Sequence, residues 1–366
     1  MENTNYTPPV ITEALTYDDV LLTPQDTSVT PDMVSTKTNL GKLELDIPIL
    51  SAAMDTVSEF DMGVAMANAG GVAVIHRNMG DNNQQADIVK RLSDAGHKTS
   101  AAIGSSEGQL ERAKSLIDAG VDMIVIDTAH GHSMNVLKQV EAVRKLSSNV
   151  TLCAGNIATA KAAQALIDAG VDVLKVGIGP GSICTTRIVA GVGVPQLTAV
   201  MNVASVAKNQ GIGIIADGGL RHSGDIVKAL AAGADAVMVG SLLAGTDEAP
   251  GDVLNINGQQ FKSYRGMGSI GAMSEGSADR YFQKNGSEAN KLVAEGVEGL
   301  IKAKGPAEDI LYQLIGGLRS GMGYIGAENI ALMPARAEFV KISNAGLKES
   351  HVHDLASMQS APNYGG

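Results

Sequence analysis

The densest run of chemically able side chains in this chain is residues 175–187, KVGIGPGSICTTR. Gly177, Gly179 and Gly181 alternate there, so backbone amides and carbonyls can approach a ligand or an ion without side-chain obstruction. Cys184 follows at once, beside Thr185, Thr186 and Arg187. A thiol on a glycine-rich turn next to hydroxyls and a cation is a candidate nucleophile. The other cysteine, Cys153, stands in the apolar run VTLCA and reads as a small buried hydrophobe. A second cluster, Asp217-Gly218-Gly219-Leu220-Arg221 with Gly240-Ser241 further on, offers amides of the kind that hold a phosphate, and Asp217 suits a ribose diol. The GxGxG is not a dinucleotide fingerprint. That motif needs the first strand, an immediate helix and an acid about 20 residues on, and here a cysteine loop follows.

The elements that position these residues come from a repeated phrase. Residues 116–127 read LIDAGVDMIVID and residues 166–177 read LIDAGVDVLKVG, with weaker echoes at 66–76 and 230–240. Each is the end of an amphipathic helix, a glycine stop, a tight turn and a short apolar run. Eight such runs stand at 48–53, 72–76, 100–103, 122–127, 150–154, 172–177, 212–216 and 235–240. They are continuous rather than alternating, which implies parallel strands covered on both faces. Eight βα units predict a closed (β/α)₈ TIM barrel, with a doubly wound open sheet as the rival. Chemistry then belongs just after each strand: Met54-Asp55, His76-Arg77-Asn78, Gly104-Ser105, Asp127 to His130, Gly155-Asn156, the 177–186 loop, Asp217 to Gly219 and Gly240-Ser241. Residues 252–304 break the pattern, long, polar and glycine-punctuated, and read as a flap over the barrel. Helical patterning returns at 306–320, and 350–366 reads as an extended tail. The whole of 1–366 is expected to be one catalytic domain.

Composition narrows the partners. There are 39 acidic against 28 basic residues, a formal charge of −11, and only 7 Tyr, 4 Phe and no Trp. Neither a grip on a nucleic-acid backbone nor base-stacking platforms are expected from that. No apolar run reaches the ~18 residues of a membrane span. The start, MENTNYTPPV, lacks the features of a signal peptide, so a cytoplasmic setting with free thiols is expected. Glycine, at 43 of 366 residues, is well above the usual ~7%.

Several long motifs in order carry a resemblance: TYDDVLL (16–22), SAAMDTVSE (51–59), GIGPGSICTTRIVAGVGVPQLTAV (177–200), IADGGLRHSGD (215–225), YRGMGSIGAM (264–273), GSADRYFQ (276–283) and GGLRSGMGYIGA (316–327). Together they resemble the inosine-5′-monophosphate dehydrogenases of the bacterial type, over nearly the whole chain. The resemblance implies NAD⁺-dependent oxidation of IMP to xanthosine monophosphate, with Cys184 attacking C2 of the purine and the thioimidate then hydrolysed. It implies phosphate and ribose contacts from Ser182, Asp217, Gly219, Gly240, Ser241 and Tyr264, and purine contacts from Met54, Gly266, Met267, Gly268 and Glu295. Asp127, Thr128, Asn156 and Gly177 would lie on the NAD⁺ side. An Arg280-Tyr281 pair on the flap would promote hydrolysis, with Thr186 and Glu295 as a second proton relay. Gly179, Gly181 and Cys184 would hold a potassium ion through their carbonyls, completed by Glu349, Ser350 and His351 from a neighbouring subunit, which implies a homotetramer.

The family commonly inserts a pair of CBS modules between the second and third strands; here only the helical stretch DNNQQADIVKRLSDAGHK separates them. Two other readings remain. GMP reductase shares the barrel and the cysteine loop but runs an NADPH-dependent reductive deamination and lacks the Arg-Tyr pair. A metal-dependent barrel hydrolase would use the HxH pairs His130-x-His132 and His351-x-His353-Asp354 as ligands.

Overall fold

The computed structural model describes residues 8–355, 357 and 361–364. Eight strands, β1 Ile49–Ser51, β2 Val72–Ile75, β3 Ser100–Ile103, β4 Met123–Asp127, β5 Thr151–Ile157, β6 Val173–Val176, β7 Gly213–Asp217 and β8 Ala236–Val239, pair in parallel in chain order. Strand β8 pairs back onto β1, from Val237 with Ile49 to Val239 with Ser51, and closes the barrel. The closed ring excludes the open doubly wound sheet, and all eight predicted runs form its staves. Helices α1 Phe60–Asn68, α2 Asn82–Asp94, α3 Gln109–Asp118, α4 Met134–Leu146, α5 Ala160–Ala169, α6 Gln196–Ala207 and α7 Ser223–Ala231 follow β1 to β7. The last, α8 Ala307–Ile325, packs against α7 and α1 and completes the outer layer. Between β2 and β3 the chain passes through α2 alone.

The repeated phrase earns its shape locally. In α5 the stop is Gly170, whose φ of 105° places it in the left-handed region while its amide caps the carbonyls of Leu166 and Ile167. Val173 and Leu174 then enter β6 fully buried. Helix interiors bury one stripe, as Ala113 and Leu116 do in α3, against strands that are buried on both faces.

The barrel's two ends differ, and that difference fixes where the site lies. At the end where the strands begin, a hairpin of Thr38–Leu40 and Leu43–Leu45 inserts Leu40, Leu43 and Leu45 beneath Leu50, Val72, Val125, Val173 and Ile215. The hairpin is pinned by Thr38 Oγ1 donating to the Asp235 carbonyl at 2.8 Å and the Lys42 amide donating to Thr151 Oγ1 at 3.1 Å. At the opposite end the interior turns polar, with Asp127, Asn156, Lys175 and Asp217.

The segment after β8 departs from one expectation. It is more than a long loop: β9 Leu254–Ile256, β10 Gln259–Arg265 and β11 Glu298–Lys302 form an antiparallel sheet that carries the rest of 252–304 at its tip. The alternation in β10 buries Lys262 and Tyr264, so the buried face is polar in type and the two-residue period escapes a hydrophobicity reading. A short helix, Asn344–Ser350, leads into the expected tail at 350–366, which runs partly outside the described residues. Chain ends are tied together where Val20–Leu22 pairs antiparallel with Phe339–Lys341.

Leu43 is a buried plug residue with no polar role, so Leu43→Ala is expected to cost about 2–5 kcal/mol of stability. A urea titration followed by far-UV circular dichroism checks this; an unchanged midpoint would remove the hairpin from the core.

Candidate functional site

One cavity of about 380 Å³ opens at the carboxyl end of the barrel, roofed by the segment after β8. Lining it are Cys184 and Thr186 from the loop after β6, Asp217 and Gly219 after β7, Gly240 and Ser241 after β8, and Arg280, Tyr281 and Glu295 from the roof. Met54, Asp127, Asn156, Gly177, Gly179, Gly181, Ser182, Tyr264, Gly266 and Met267 line it as well. Residues drawn from seven separate stretches of sequence thus converge on one space.

The cysteine loop is braced from within by a side chain that takes the Ile178 and Val194 carbonyls and leaves those of Gly179 and Cys184 to other partners. Arg187 threads back through it, donating from Nε to the Ile178 carbonyl at 3.0 Å and from Nη2 to the Val194 carbonyl at 2.6 Å. A Cβ on Gly179, whose φ is 73°, would stand 2.6 Å from the Arg187 Cγ, so the glycine makes room for that stem. The cation predicted to serve the thiol is therefore a clamp on the loop, and burial pushes its guanidinium below the ordinary value. Cys184 Sγ lies 3.2 Å from Thr186 Oγ1, close enough for a proton to be shared. Its backbone pairs across to Gly296, and the Thr185 amide donates to the Glu295 carbonyl at 2.9 Å, so roof and thiol loop are stitched together.

Sequence reasoning passed over the centre of the site. Lys175, fully buried in β6, sends its ammonium to Asp217 Oδ2 at 2.6 Å and to within 2.8 Å of Asp127 Oδ1, and it also meets Asn156 Oδ1. Asn156 Nδ2 donates in turn to Asp217 Oδ2 at 2.9 Å and to the Gly177 carbonyl at 2.8 Å. The available signal was a lysine in an otherwise apolar buried strand, where a charge needs paired partners. Asp127's other oxygen is taken by the Arg280 guanidinium of the roof. Burial, reinforced by the like charge of Arg77, pushes Arg280 below its ordinary value. Burial raises the neighbouring Tyr281 phenol.

The roof is latched over the barrel at Asp279. Arg77 Nη2, after β2, donates to Asp279 Oδ1 at 2.7 Å, and Ser106 Oγ, after β3, donates to Oδ2 at 2.6 Å. The pair's side chains are only 8% and 12% exposed, so it is an ion pair removed from solvent rather than a surface contact.

At the corner after β8, where the sequence reading places a phosphate, Gly240 is held between Met54 and Tyr264. A Cβ there would meet Tyr264 Oη at 3.0 Å and Met54 Sδ at 3.2 Å. Burial pushes the Tyr264 phenol up to about 12, a hydrogen bond with Ser182 acting the other way. The expected helix-end contribution is partly spent, because Asp225 accepts the amides of Arg221 and His222 at 2.9 and 3.2 Å. Four carboxylates (Asp18, Asp127, Asp217, Glu295) and four cations (Lys175, Arg187, Arg221, Arg280) line the cavity, and Arg221 is paired with Asp18.

Some expected site residues stand elsewhere. Gly268 lies against the Tyr281 ring, where a Cβ would be 2.7 Å from Cζ, and is absent from the cavity wall. Thr128 is buried and donates to the Gly155 carbonyl at 2.7 Å, joining the ends of β4 and β5. Glu349, Ser350 and His351 end the short helix away from this cavity, with His351 Nδ1 3.0 Å from Tyr364 Oη. His130 packs its ring 6.4 Å from those of His132 and Phe282, and no group of three metal-ligating side chains occurs among the described residues.

Fold and cavity together define a (β/α)₈-barrel protein with a thiol, a pair of glycine-rich turns after β7 and β8, and a latched roof at its carboxyl rim. The IMP dehydrogenase / GMP reductase domain model matches residues 14–353. The inosine-5′-monophosphate dehydrogenase of Borreliella burgdorferi is 47% identical, over 94% of this chain and 98% of its own. That of Cryptosporidium parvum is 46% identical over 97% and 98%, and that of Streptococcus pyogenes 42% over 98% and 99%. The chain belongs to the IMP dehydrogenase / GMP reductase family.

Burial pushes the Cys153 thiol up to about 12, so it stays protonated at neutral pH and is sealed from reagents. Iodoacetamide on the folded protein should alkylate Cys184 and leave Cys153 untouched, as peptide mass spectrometry will read; labelling of Cys153 at a comparable rate would contradict the buried assignment.

Proposed function

We propose that the chain oxidises inosine 5′-monophosphate to xanthosine 5′-monophosphate through a covalent bond to Cys184. The observation that carries this is the convergence of Cys184, the phosphate corner and the Arg280-Tyr281 pair on one cavity. The substrate phosphate sits against the amides after β7 and β8, with Ser182 and Tyr264 beside it. Asp217, already oriented by Lys175 and Asn156, accepts from the ribose hydroxyls. Met54, Gly266, Met267 and Glu295 border the purine.

The chemistry follows from that placement. The thiol proton leaves towards Thr186, and sulfur adds to C2, turning it into a tetrahedral centre from which hydride can depart. NAD⁺, bound on the side of Asp127, Thr128, Asn156 and Gly177, supplies the hydride acceptor. The thioimidate that remains on Cys184 is then hydrolysed: water adds at C2, its proton passes to the Arg280-Tyr281 pair or to Thr186 and Glu295, and the thiolate leaves. Burial weakens Arg280's hold on its proton, while its pairing with Asp127 acts the other way and is given up when the roof lifts. Asp127 has one free oxygen for two claimants, the cofactor side and Arg280, which favours a roof that closes only after the dinucleotide departs. That use of the roof separates this reading from reductive deamination of GMP.

A potassium ion would be held by the carbonyls of Gly179, Gly181 and Cys184, and neutral carbonyl donors on a tight glycine turn suit a monovalent cation. It would be completed by Glu349, Ser350 and His351 of the partner subunit, in a homotetramer. No helix among the described residues is long and apolar enough to cross a membrane. With only α2 between β2 and β3, regulation by nucleotides through an inserted CBS pair is not expected.

Incubation with IMP and NAD⁺ should generate NADH absorbance, and incubation with GMP and NADPH should leave absorbance flat; the reverse pattern would assign the reductase. Cys184→Ala should abolish turnover while IMP binding, read by calorimetry, stays within about threefold, since sulfur contributes to bond-making rather than to ground-state affinity. Asp279→Ala should open the roof and slow hydrolysis by about tenfold, a buried ion pair being worth several kcal/mol when broken. NADH release in a first-turnover burst should persist and the KM for NAD⁺ should fall; an unchanged kcat and KM would sink the latch.

A further inference from the structure

Every cation on the cavity wall is engaged by the protein: Lys175 by Asp127 and Asp217, Arg280 by Asp127, Arg221 by Asp18, and Arg187 by two carbonyls. The phosphate corner therefore rests on backbone amides, and its strength depends on how that backbone is held and polarised. After β8 the chain makes a turn in which the Leu243 and Ala244 amides both donate to the Gly240 carbonyl, at 3.0 and 2.8 Å. Ser241 lines the cavity, Leu242 follows it in the turn, and the amides of both have no partner among the described residues.

Behind this turn stands Lys304, just beyond β11. Its ammonium donates to the Leu242 carbonyl at 3.1 Å and also meets the Ser241 carbonyl. The Lys304 amide donates to the Gly245 carbonyl at 2.9 Å, and the Asp247 amide to the Gly305 carbonyl at 3.0 Å, so both chains are zipped together. The contact is close enough that a Cβ on Gly245, whose φ is 85°, would sit 2.6 Å from the Lys302 carbonyl oxygen. Further along, Lys262 of β10 donates to the carbonyls of Thr246 at 3.1 Å and Asp247 at 3.3 Å and meets that of Ala249. The turn thus keeps two amides unpartnered beside the cavity wall and gives its carbonyls to two lysines.

We propose that Lys304 is a positioning residue for the substrate phosphate, acting through the Ser241–Leu242 peptide. The carbonyl of Ser241 and the amide of Leu242 belong to one peptide unit, so a cation on the oxygen fixes the plane of that unit and strengthens its N–H as a donor. Lys304 also adds a positive charge behind the corner without exposing a basic surface, which fits a −11 chain that takes a single phosphate. Burial pushes this ammonium down to about 8, so it still carries most of its charge at neutral pH. Because Lys304 follows β11 directly, the base of the roof and the phosphate corner move as one piece.

This inference rests on the corner binding a 5′-phosphate, and the wild-type protein tests that premise by itself through its affinity for IMP against inosine. Given that preference, Lys304→Met should raise the KM for IMP by about tenfold, the range of a charge-assisted hydrogen bond, with kcat and the KM for NAD⁺ within about twofold. Lys304→Arg should recover most of the loss, because the positive charge and the carbonyl contacts return. If Lys304→Met does not fold, Lys304→Gln, which keeps length and donors but no charge, carries the same expectation. An unchanged KM for IMP overturns the proposal, as does a loss in which kcat and both KM values worsen together or one that arginine does not repair. A wild type without preference for IMP over inosine would instead overturn the phosphate reading of the corner.

Discussion

A lysine ammonium sealed inside a barrel must have its charge answered within hydrogen-bonding distance, because water cannot reach it. Lys175 meets that requirement with Asp127, Asn156 and Asp217, residues that end three other strands. One ammonium against two carboxylates leaves a net negative charge in the upper layer, and the roof supplies the answer through Arg280. Breaking a buried pair of this kind typically costs about 3–5 kcal/mol. The roof, with a small apolar cluster of its own around Met273, Ala278 and Leu292, is therefore docked largely by charge. An element held that way can be displaced by another ligand that satisfies Asp127, whereas one held by a large apolar face would stay shut.

The same economy of charge shapes the rest of the rim. The proposed binding of one phosphate monoester by an acidic protein calls for local donors rather than a basic surface. Backbone amides after β7 and β8 provide them, and the cations around the cavity set positions: Arg187 clamps the thiol loop, Arg221 ties Asp18, and Lys304 backs the turn after β8. Glycines carry much of the remaining geometry by absence of a side chain. Gly240 leaves room for Met54 and Tyr264, and Gly268 for the Tyr281 ring. A residue that the resemblance makes a ligand contact is in the second case also the space into which the Tyr281 ring packs.

The barrel was legible because its instructions are local. A helix stripe, a glycine stop and a short β-branched run recur within about 25 residues, and parallel strands buried on both faces leave few ways to close. The motif residues after each strand were legible for the same reason, since strand direction alone puts them at one rim. What escaped were groups whose roles depend on residues far away in the chain. Lys175 looks like one lysine in a strand until Asp127 and Asp217 are brought to it from 48 and 42 positions away. Lys262 and Tyr264 disguised strand β10, because polar residues at the buried positions erase the alternation that marks a strand.

Sequence by itself determined the fold class, the family, the loop that carries Cys184 and the order in which site residues line the rim. These follow from periodicity and from motifs, which are properties of neighbours along the chain. Tertiary structure alone decided which charges are spent on one another, that the roof's arginine shares a carboxylate with a buried lysine, and that a lysine beyond the roof backs the turn after β8. Electrostatic roles are set by distance and burial, and both are fixed only when strands remote in sequence close into one barrel.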